Sequence, residues 1–308
     1  RKERTPIVID ILIINYNCIT YLKALLSELA LKNPTVLSRR GQYAITVVDN
    51  QSTDGSAELV ETQFPTVQLI ARESNEGYAA AVNAGIAATR NREILLLNSD
   101  VLITPDAVAS LARIWERLDF PGILAPLHLE EDGFPQLTWG VFPTPQAEAR
   151  RRRLDRALAD REPWAKEAVL AEACQTRPVD WVSGSCMFFA RSTAESIGPW
   201  DTNFFLFFED IDWCLRAKQK GYQIYHTSEA RITHAHGASV NQDPETAEIE
   251  YRFSQCYFTK KHLGSWALFK LRLYLTMKQL GRWMAGSRSG FERSTSWLIL
   301  RNTWKNPG

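Results

Sequence analysis

No stretch of this 308-residue chain is apolar for long enough to cross a bilayer, and its opening residues do not read as a secretory leader. It begins at Arg1 rather than Met, so the expectation is a segment of a longer chain. Cysteine is sparse: five residues (18, 174, 186, 214 and 256), an odd number with no C-x-x-C pair. That argues against a disulfide framework or a zinc site and fits reduced, buried thiols of a cytoplasmic protein. A G-x-G-x-x-G turn and a P-loop are both missing, which counts against a dehydrogenase and an ATPase. Internal repeats and low-complexity tracts are missing as well. Acids all but vanish near the end: from Lys260 onward there are ten Lys or Arg and a single acid, Glu292. The net charge of +1 therefore hides a tail at +9 and a body at −8, the body carrying 26 basic and 34 acidic residues. Such a tail suits an anionic membrane surface, and nucleic acid is not among the expected partners.

What is present is an ordinary globular composition, 45% hydrophobic and 23% charged. Ile7–Ile14 is a β-branched run of the kind buried on both faces of a sheet, and Ala44–Asp49, Val67–Ala71 and Ile94–Leu97 repeat it. Helical patterns alternate with them, from about Thr20 to Leu31, through Ala88 after residues 75–78, and from Pro105. This alternation predicts a parallel, doubly wound α/β sheet. Gly122–Pro126, Tyr222–Tyr225 and Arg231–Ala235 are shorter strands, Val179–Arg191 is strand-like, and a hairpin is expected around Asp132-Gly133. Residues 141–178 differ, being rich in Pro, Ala, Glu and Arg with a basic run Arg150–Arg153. They read as an inserted, exposed helical segment whose arginines form a solvated face.

Three of the first four strands end in Asn, Asp and Ser, at Asn15-Tyr16-Asn17, at Asp49 through Ser56, and at Asn98-Ser99-Asp100. These residues also build turns and helix caps. Ligands in open α/β sheets bind outside the carboxyl ends of the strands, and three such loops on one edge favour a ligand site. The second feature is Phe204–Gly221, where five apolar or aromatic residues lead directly into Glu209, Asp210 and Asp212. A helix dipole accounts for one acid in a first turn. Three acids against an aromatic wall instead suit proton abstraction, because desolvation raises carboxylate pKa.

These stretches, with Asn75-Glu76-Gly77-Tyr78, Asn83-Ala84-Gly85 and His234 through Ser239, resemble glycosyltransferase family 2, the inverting enzymes of the GT-A fold. Within it the look is nearest the bacterial rhamnosyltransferases that extend polyprenyl-diphosphate-linked glycans. The resemblance runs from about Ile9 to His262 and implies a GT-A domain over 1–262 with a Rossmann-like, mostly parallel sheet. It implies donor-binding roles for Asn15, Tyr16, Asn17, Asp49, Ser52, Asp54, Asn75, Gly77, Asn83, Asn98 and Ser99. Asp100 falls where the family has its Asp-x-Asp motif and is the expected ligand of Mg or Mn, joined by His234, with His236 the competing candidate. Asn98 departs from the Asp common at the motif's first position. Asp210 takes the place of the general base with Glu209 in support, and Trp181, Gly184, Asp212 and Trp213 are expected on the acceptor side.

The donor implied is dTDP-rhamnose, with UDP-hexoses and GDP-mannose as alternatives; the acceptor is a polyprenyl-diphosphate-linked glycan or a polysaccharide. A non-catalytic sugar-nucleotide-binding domain is the reading from another class. A nucleotidyltransferase would want a Gly-rich basic loop after the first strand, and Asn15-Tyr16-Asn17 is neither. Residues 263–308 are expected to form a basic amphipathic tail on the inner face of the cell membrane. Its stripe is Trp266, Phe269, Leu273, Met277, Leu280 and Met284, with Lys270, Lys278 and Arg282 outside it and Trp297 and Trp304 beyond. A helix simply packed on the domain is the plainer alternative.

Overall fold

The β-branched runs form strands β1 (Val8–Asn15), β2 (Gln42–Asp49), β3 (Gln68–Ala71) and β4 (Glu93–Asn98), parallel and in the order β3-β2-β1-β4. The computed structural model describes residues 8–31, 42–119, 121–235 and 244–284. The strands read as apolar throughout because both faces are covered. Ile11 and Ile13 pack with Leu22, Leu111 and Trp115, whereas Leu12 and Ile14 belong with Val82, Phe189 and Trp213 on the opposite face. Helices α1 (Ile19–Leu26), α2 (Ser56–Gln63) and α4 (Pro105–Arg117) cover the first face, and α3 (Tyr78–Ala88) lies on the second. Helix α4 starts cleanly because Thr104 accepts a hydrogen bond from the Ala107 amide and Pro105 occupies the first turn.

Beyond β4 the sheet becomes mixed. Strand β10 (Cys186–Ala190) runs antiparallel between β4 and β6 (Ile123–Leu129), and β11 (Ile224–His234) runs parallel to β6. The two short strands expected at 222–225 and 231–235 are this single strand, with a register shift between Thr227 and Arg231. Short β5 (Val101–Leu102) and β8 (Arg177–Val179) pair antiparallel with β11, and β7 (Trp139–Gly140) pairs with β9 (Trp181–Val182) in a separate ribbon. The reversal of β10 has a direct effect on the site. Its amino end begins at the edge where β1, β2, β4 and β11 finish, so residues 183–185 arrive beside Asn98, whose amide donates to the Ser185 carbonyl at 2.9 Å.

The segment 141–178 supplies helices α5 (Pro145–Ala159) and α6 (Pro163–Ala173). It is not simply exposed: Leu154, Ala157 and Leu158 of α5, and Ala165, Val169 and Ala173 of α6, are buried, most of them against the second face of the sheet. Small residues at helical spacing bury well without large apolar side chains, which is why the composition looked solvated. Cys174 is exposed, correcting the expectation of five buried thiols; the other four are buried, and all five are free.

Helices α7 (Arg191–Ile197) and α8 (Glu209–Gln219) precede β11, and α9 (Pro244–Met284) closes the described chain. Helix α9 runs straight through the boundary expected at residue 262 and turns at Gly264, where φ is 85°. Before the turn, Tyr251, Tyr257 and Phe258 pack on Phe204, Phe207 and Phe208. After it, Leu268 and Leu275 are buried beside Cys256, while Trp266, Phe269, Leu273, Met277 and Leu280 are exposed. His236, Trp297 and Trp304, and the side chains of Arg282 and Met284, lie outside the described residues. Among the described residues no helix is long and apolar enough to cross a membrane.

Candidate active site

The polar strand ends open into a cleft of about 1040 Å³. One end is lined by Tyr16, Asn50, Asn75, Gly77 and residues 98–100, the middle by Tyr78, Gly184, Glu209, Asp210 and His234, and the far end by Trp139, Arg150, Arg151, Trp181 and Tyr251. The first end is braced by amide side chains. Asn50 Nδ2 donates to Asn75 Oδ1 at 2.7 Å, and the same oxygen accepts the Gly77 amide at 3.0 Å. Gly77 sits at φ 91°, and a Cβ there would lie 2.5 Å from the Phe205 carbonyl oxygen. Only glycine suits both demands. The Tyr78 amide donates to that same carbonyl at 2.9 Å, joining the 75–78 loop to the segment that leads to the acids.

Asp210 is placed by an unusual entry into α8. Phe207 and Phe208 both adopt left-handed backbone (φ 68° and 66°), a conformation costly for aromatic residues and sustained here by packing against Tyr251 and Phe258. Asp210 Oδ2 accepts the Gly184 amide at 3.0 Å and Oδ1 accepts the Ile211 amide at 2.7 Å. Tyr78 in turn donates its hydroxyl proton to the Gly184 carbonyl at 2.8 Å, fixing the far side of the glycine whose amide holds the acid. Burial raises the Asp210 pKa, while those two amides and the charge of Arg151 work to lower it, and the net shift is upward. Glu209 is buried with Oε2 unpartnered among the described residues; burial and then the Asp210 charge push its pKa well above the ordinary carboxylate range. The two neighbours thus differ in setting: Asp210 rests on two backbone amides, whereas Glu209 is buried with one oxygen unpartnered among the described residues and is the more strongly shifted upward.

Asp100 and His234 face each other, Oδ1 to Nε2 at 3.3 Å, brought together by the pairing of β5 with β11. Gln136 gives its amide Nε2 to the His234 carbonyl at 2.9 Å, so its Oε1 is the atom 2.7 Å from His234 Nδ1. An oxygen there requires a proton on Nδ1, which turns the Nε2 lone pair of a neutral ring toward the carboxylate. Two acceptors so placed fit a divalent cation, and Asn98 Oδ1 lies nearby, buried and without a hydrogen-bond partner among the described residues. No cluster of three His, Cys, Asp or Glu suited to a metal occurs among the described residues, so any cation here would draw remaining ligands from substrate and water.

Of the residues expected at the site, Tyr16, Asn75, Gly77, Asn98, Ser99, Asp100, Trp181, Gly184, Glu209, Asp210 and His234 line the cleft. Others do not. Asn15 donates to Asp49 Oδ2 (2.8 Å) and Ser52 Oγ (3.1 Å), and Asp49 Oδ1 accepts the Ser52 amide, so this trio braces the loops from beneath. Asn17 accepts the Thr53 amide. Asp54 caps two helices at once, accepting from the Ile19 amide and from Ser56, because Cys18 supplies no cap of its own. Asn83 brackets the Trp200 backbone through both amide atoms. Asp212 is fully buried among Arg216, Lys261 and His262, and Trp213 is buried against Trp200, so neither reaches the acceptor side. Gln136 and Tyr251 were not foreseen, because their segments carry no local signal. The basic run that read as solvated puts Arg150 and Arg151 into the cleft wall.

A profile described as Glycosyl transferase family 2 matches residues 10–175, and one described as Glycosyl transferase family group 2 matches 94–305. The chain belongs to glycosyl transferase family 2. This glycosyltransferase is 26% identical over 278 residues to an N-acetylglucosaminyl-diphospho-decaprenol L-rhamnosyltransferase of Mycobacterium tuberculosis, covering 84% of this chain and 86% of that one. It is 25% identical over 295 residues to the low-salt glycan biosynthesis hexosyltransferase Agl10 of Haloferax volcanii, covering 94% and 87%. Among solved structures, a mannosyltransferase from Pyrobaculum calidifontis with GDP-Man and Mn2+ superposes with a TM-score of 0.54 at 14% identity, covering 96% of this chain and 85% of that one. GalNAc-T7 with UDP, GalNAc and Mn2+ gives 0.56 at 14% identity, covering 90% of this chain, which spans about half (51%) of that structure. At such identities the likeness shows the fold, which is that of GT-A glycosyltransferases.

Proposed function

We propose that this family 2 enzyme transfers L-rhamnose from dTDP-rhamnose, with inversion, to a hydroxyl of a polyprenyl-diphosphate-linked glycan on the inner face of a bacterial membrane. The observation that carries the chemistry is Asp210, pinned by the Gly184 and Ile211 amides in the middle of the cleft. The mycobacterial relative, acting by its name on a decaprenol-diphosphate sugar, supports the choice of sugar and acceptor. The nucleotide end of the donor lies between Tyr16 and the Asn50–Asn75 brace, and Gly77 lets the backbone approach it. Asp100 and His234 would hold a divalent cation, Mg or Mn, which when bound offsets charge on the departing diphosphate. Asp210 takes the proton from the acceptor hydroxyl as that oxygen attacks the anomeric carbon from the opposite side. One carboxylate suffices, because no sugar is held covalently on the protein.

The test is Asp210→Asn, which keeps shape and removes basicity. Transfer is expected to fall ~100-fold or more while donor affinity survives. The wild-type rate should climb with pH through the Asp210 pKa, with its acid limb above the ordinary aspartate range because burial raises that pKa. Near-normal transfer by Asp210→Asn, with a dead Glu209→Gln, would move the base to Glu209. A thermal-shift panel of dTDP-rhamnose, UDP-hexoses and GDP-mannose, each with Mg or Mn, decides the donor.

A further inference from the structure

The far half of the cleft is walled by α5, which carries four consecutive arginines, Arg150–Arg153. Successive helical residues turn by about 100°, so the four cannot share one role. Arg153 lies outside, 5.4 Å from the Trp164 ring centroid. Arg152 Nη1 donates to the Tyr274 hydroxyl at 3.3 Å, on the exposed half of α9. Arg151 faces the cleft. Its guanidinium stands 4.6 Å from the Trp181 centroid, Nη2 donates to the Leu137 carbonyl at 2.9 Å, and Nε is 3.4 Å from Asp155. Stacked on a buried ring and tied to backbone, this side chain is held in place, yet 35% of its surface remains accessible. Those two polar contacts leave most of its five N–H donors for other use. Its charge also reaches the Asp210 carboxylate. Arg150 lines the same wall, paired with Glu172 at 2.9 Å and 66% exposed.

Helix α5 thus shows Arg152 to the exposed half of α9 and Arg151 to the cleft that holds Asp210. We propose that Arg151, with Arg150 beside it, forms the subsite for the diphosphate of the acceptor, so that the acceptor's lipid lies along α9 and its sugar meets Asp210. This rests on the lipid-linked acceptor proposed above. A planar guanidinium matches phosphate oxygens two at a time, and the loose Asp155 contact is the one a diphosphate displaces.

The experiment compares kcat/KM on two acceptors bearing the same sugar, N-acetylglucosamine on a polyprenyl diphosphate and octyl N-acetylglucosaminide, at saturating donor. The wild type is expected to prefer the diphosphate acceptor. Arg151→Ala should cut that preference ~10-fold or more, the scale of a hydrogen bond to a charged group, with the loss in acceptor KM. Arg151→Lys keeps the charge without the fork and should fall between, with donor KM and melting temperature unchanged. Arg153→Ala, on the outer side, should leave the preference intact. Equal losses on both acceptors in Arg151→Ala and Arg151→Lys, or an equal loss of preference in Arg153→Ala, overturn the subsite. A wild type that uses both acceptors without preference overturns it while glycosyl transfer stands. Donor hydrolysis with transfer to neither acceptor brings down the lipid-linked reading and the subsite together.

Discussion

The two halves of the cleft are built in different ways. The half proposed for the donor consists of four short loops at strand ends, cross-braced by amide and carboxylate side chains such as Asn15–Asp49 and Asn50–Asn75. Its side chains brace one another, yet Asn15, Asn50 and Asn98 each keep a buried Oδ1 without a hydrogen-bond partner among the described residues. The half proposed for the acceptor is assembled from α5, the β7–β9 ribbon, the start of α8 and the first half of α9, and aromatic and cation–π contacts hold much of it. The two halves meet at two narrow seams, Gly77 against Phe205 and Gly184 against Asp210.

If the halves work separately, substitutions should sort by which substrate they disturb. Asp100→Ala should have the largest effect, a loss of roughly 1,000-fold in transfer together with loss of Mn2+-dependent nucleotide binding, and little change in acceptor binding. Full activity in excess chelator would remove the metal role and with it the donor half's electrostatic purpose. Gly77→Ala strikes the seam. It forces a Cβ to 2.5 Å from a backbone oxygen at positive φ, and should cost ~1–3 kcal/mol of stability in chemical denaturation while worsening the constants for both substrates. A change confined to donor affinity would show the halves to be independent at this point. The smallest effect in solution belongs to the stripe: Trp266→Ser with Phe269→Ser and Met277→Ser, all exposed positions, should leave transfer to a soluble acceptor nearly unchanged. The same variant should lose binding to anionic liposomes in a sedimentation assay, and undiminished binding would assign the stripe another partner.

How much could be read from the chain alone followed the same division. The parallel strands were legible because burial on both faces demands unbroken apolar runs, and the loops after β1, β2 and β4 because polar residues at strand ends are contiguous. Asp49, Asp54 and Asn83 were legible as special without their task being so: a carboxylate or amide that caps a helix and one that meets a ligand have the same sequence. Arg151 was hidden because its use depends on Trp181 and Leu137 being near it, and nothing within α5 encodes either neighbour. Gln136 was hidden likewise, since its partner His234 is 98 residues away. The reversal of β10 was invisible in a run that is apolar in either direction.

Lys261 touches Asp201 and Asp212, each at 2.6 Å, and so fastens both ends of the segment that contains Phe207, Phe208 and Asp210. Those contacts span 60 and 49 residues of chain, and Ser254 adds another to the Leu206 carbonyl across 48. Neither Lys261 nor Ser254 lines the cleft, yet both hold the segment that presents Asp210, so a change in either should be felt at a site it never touches.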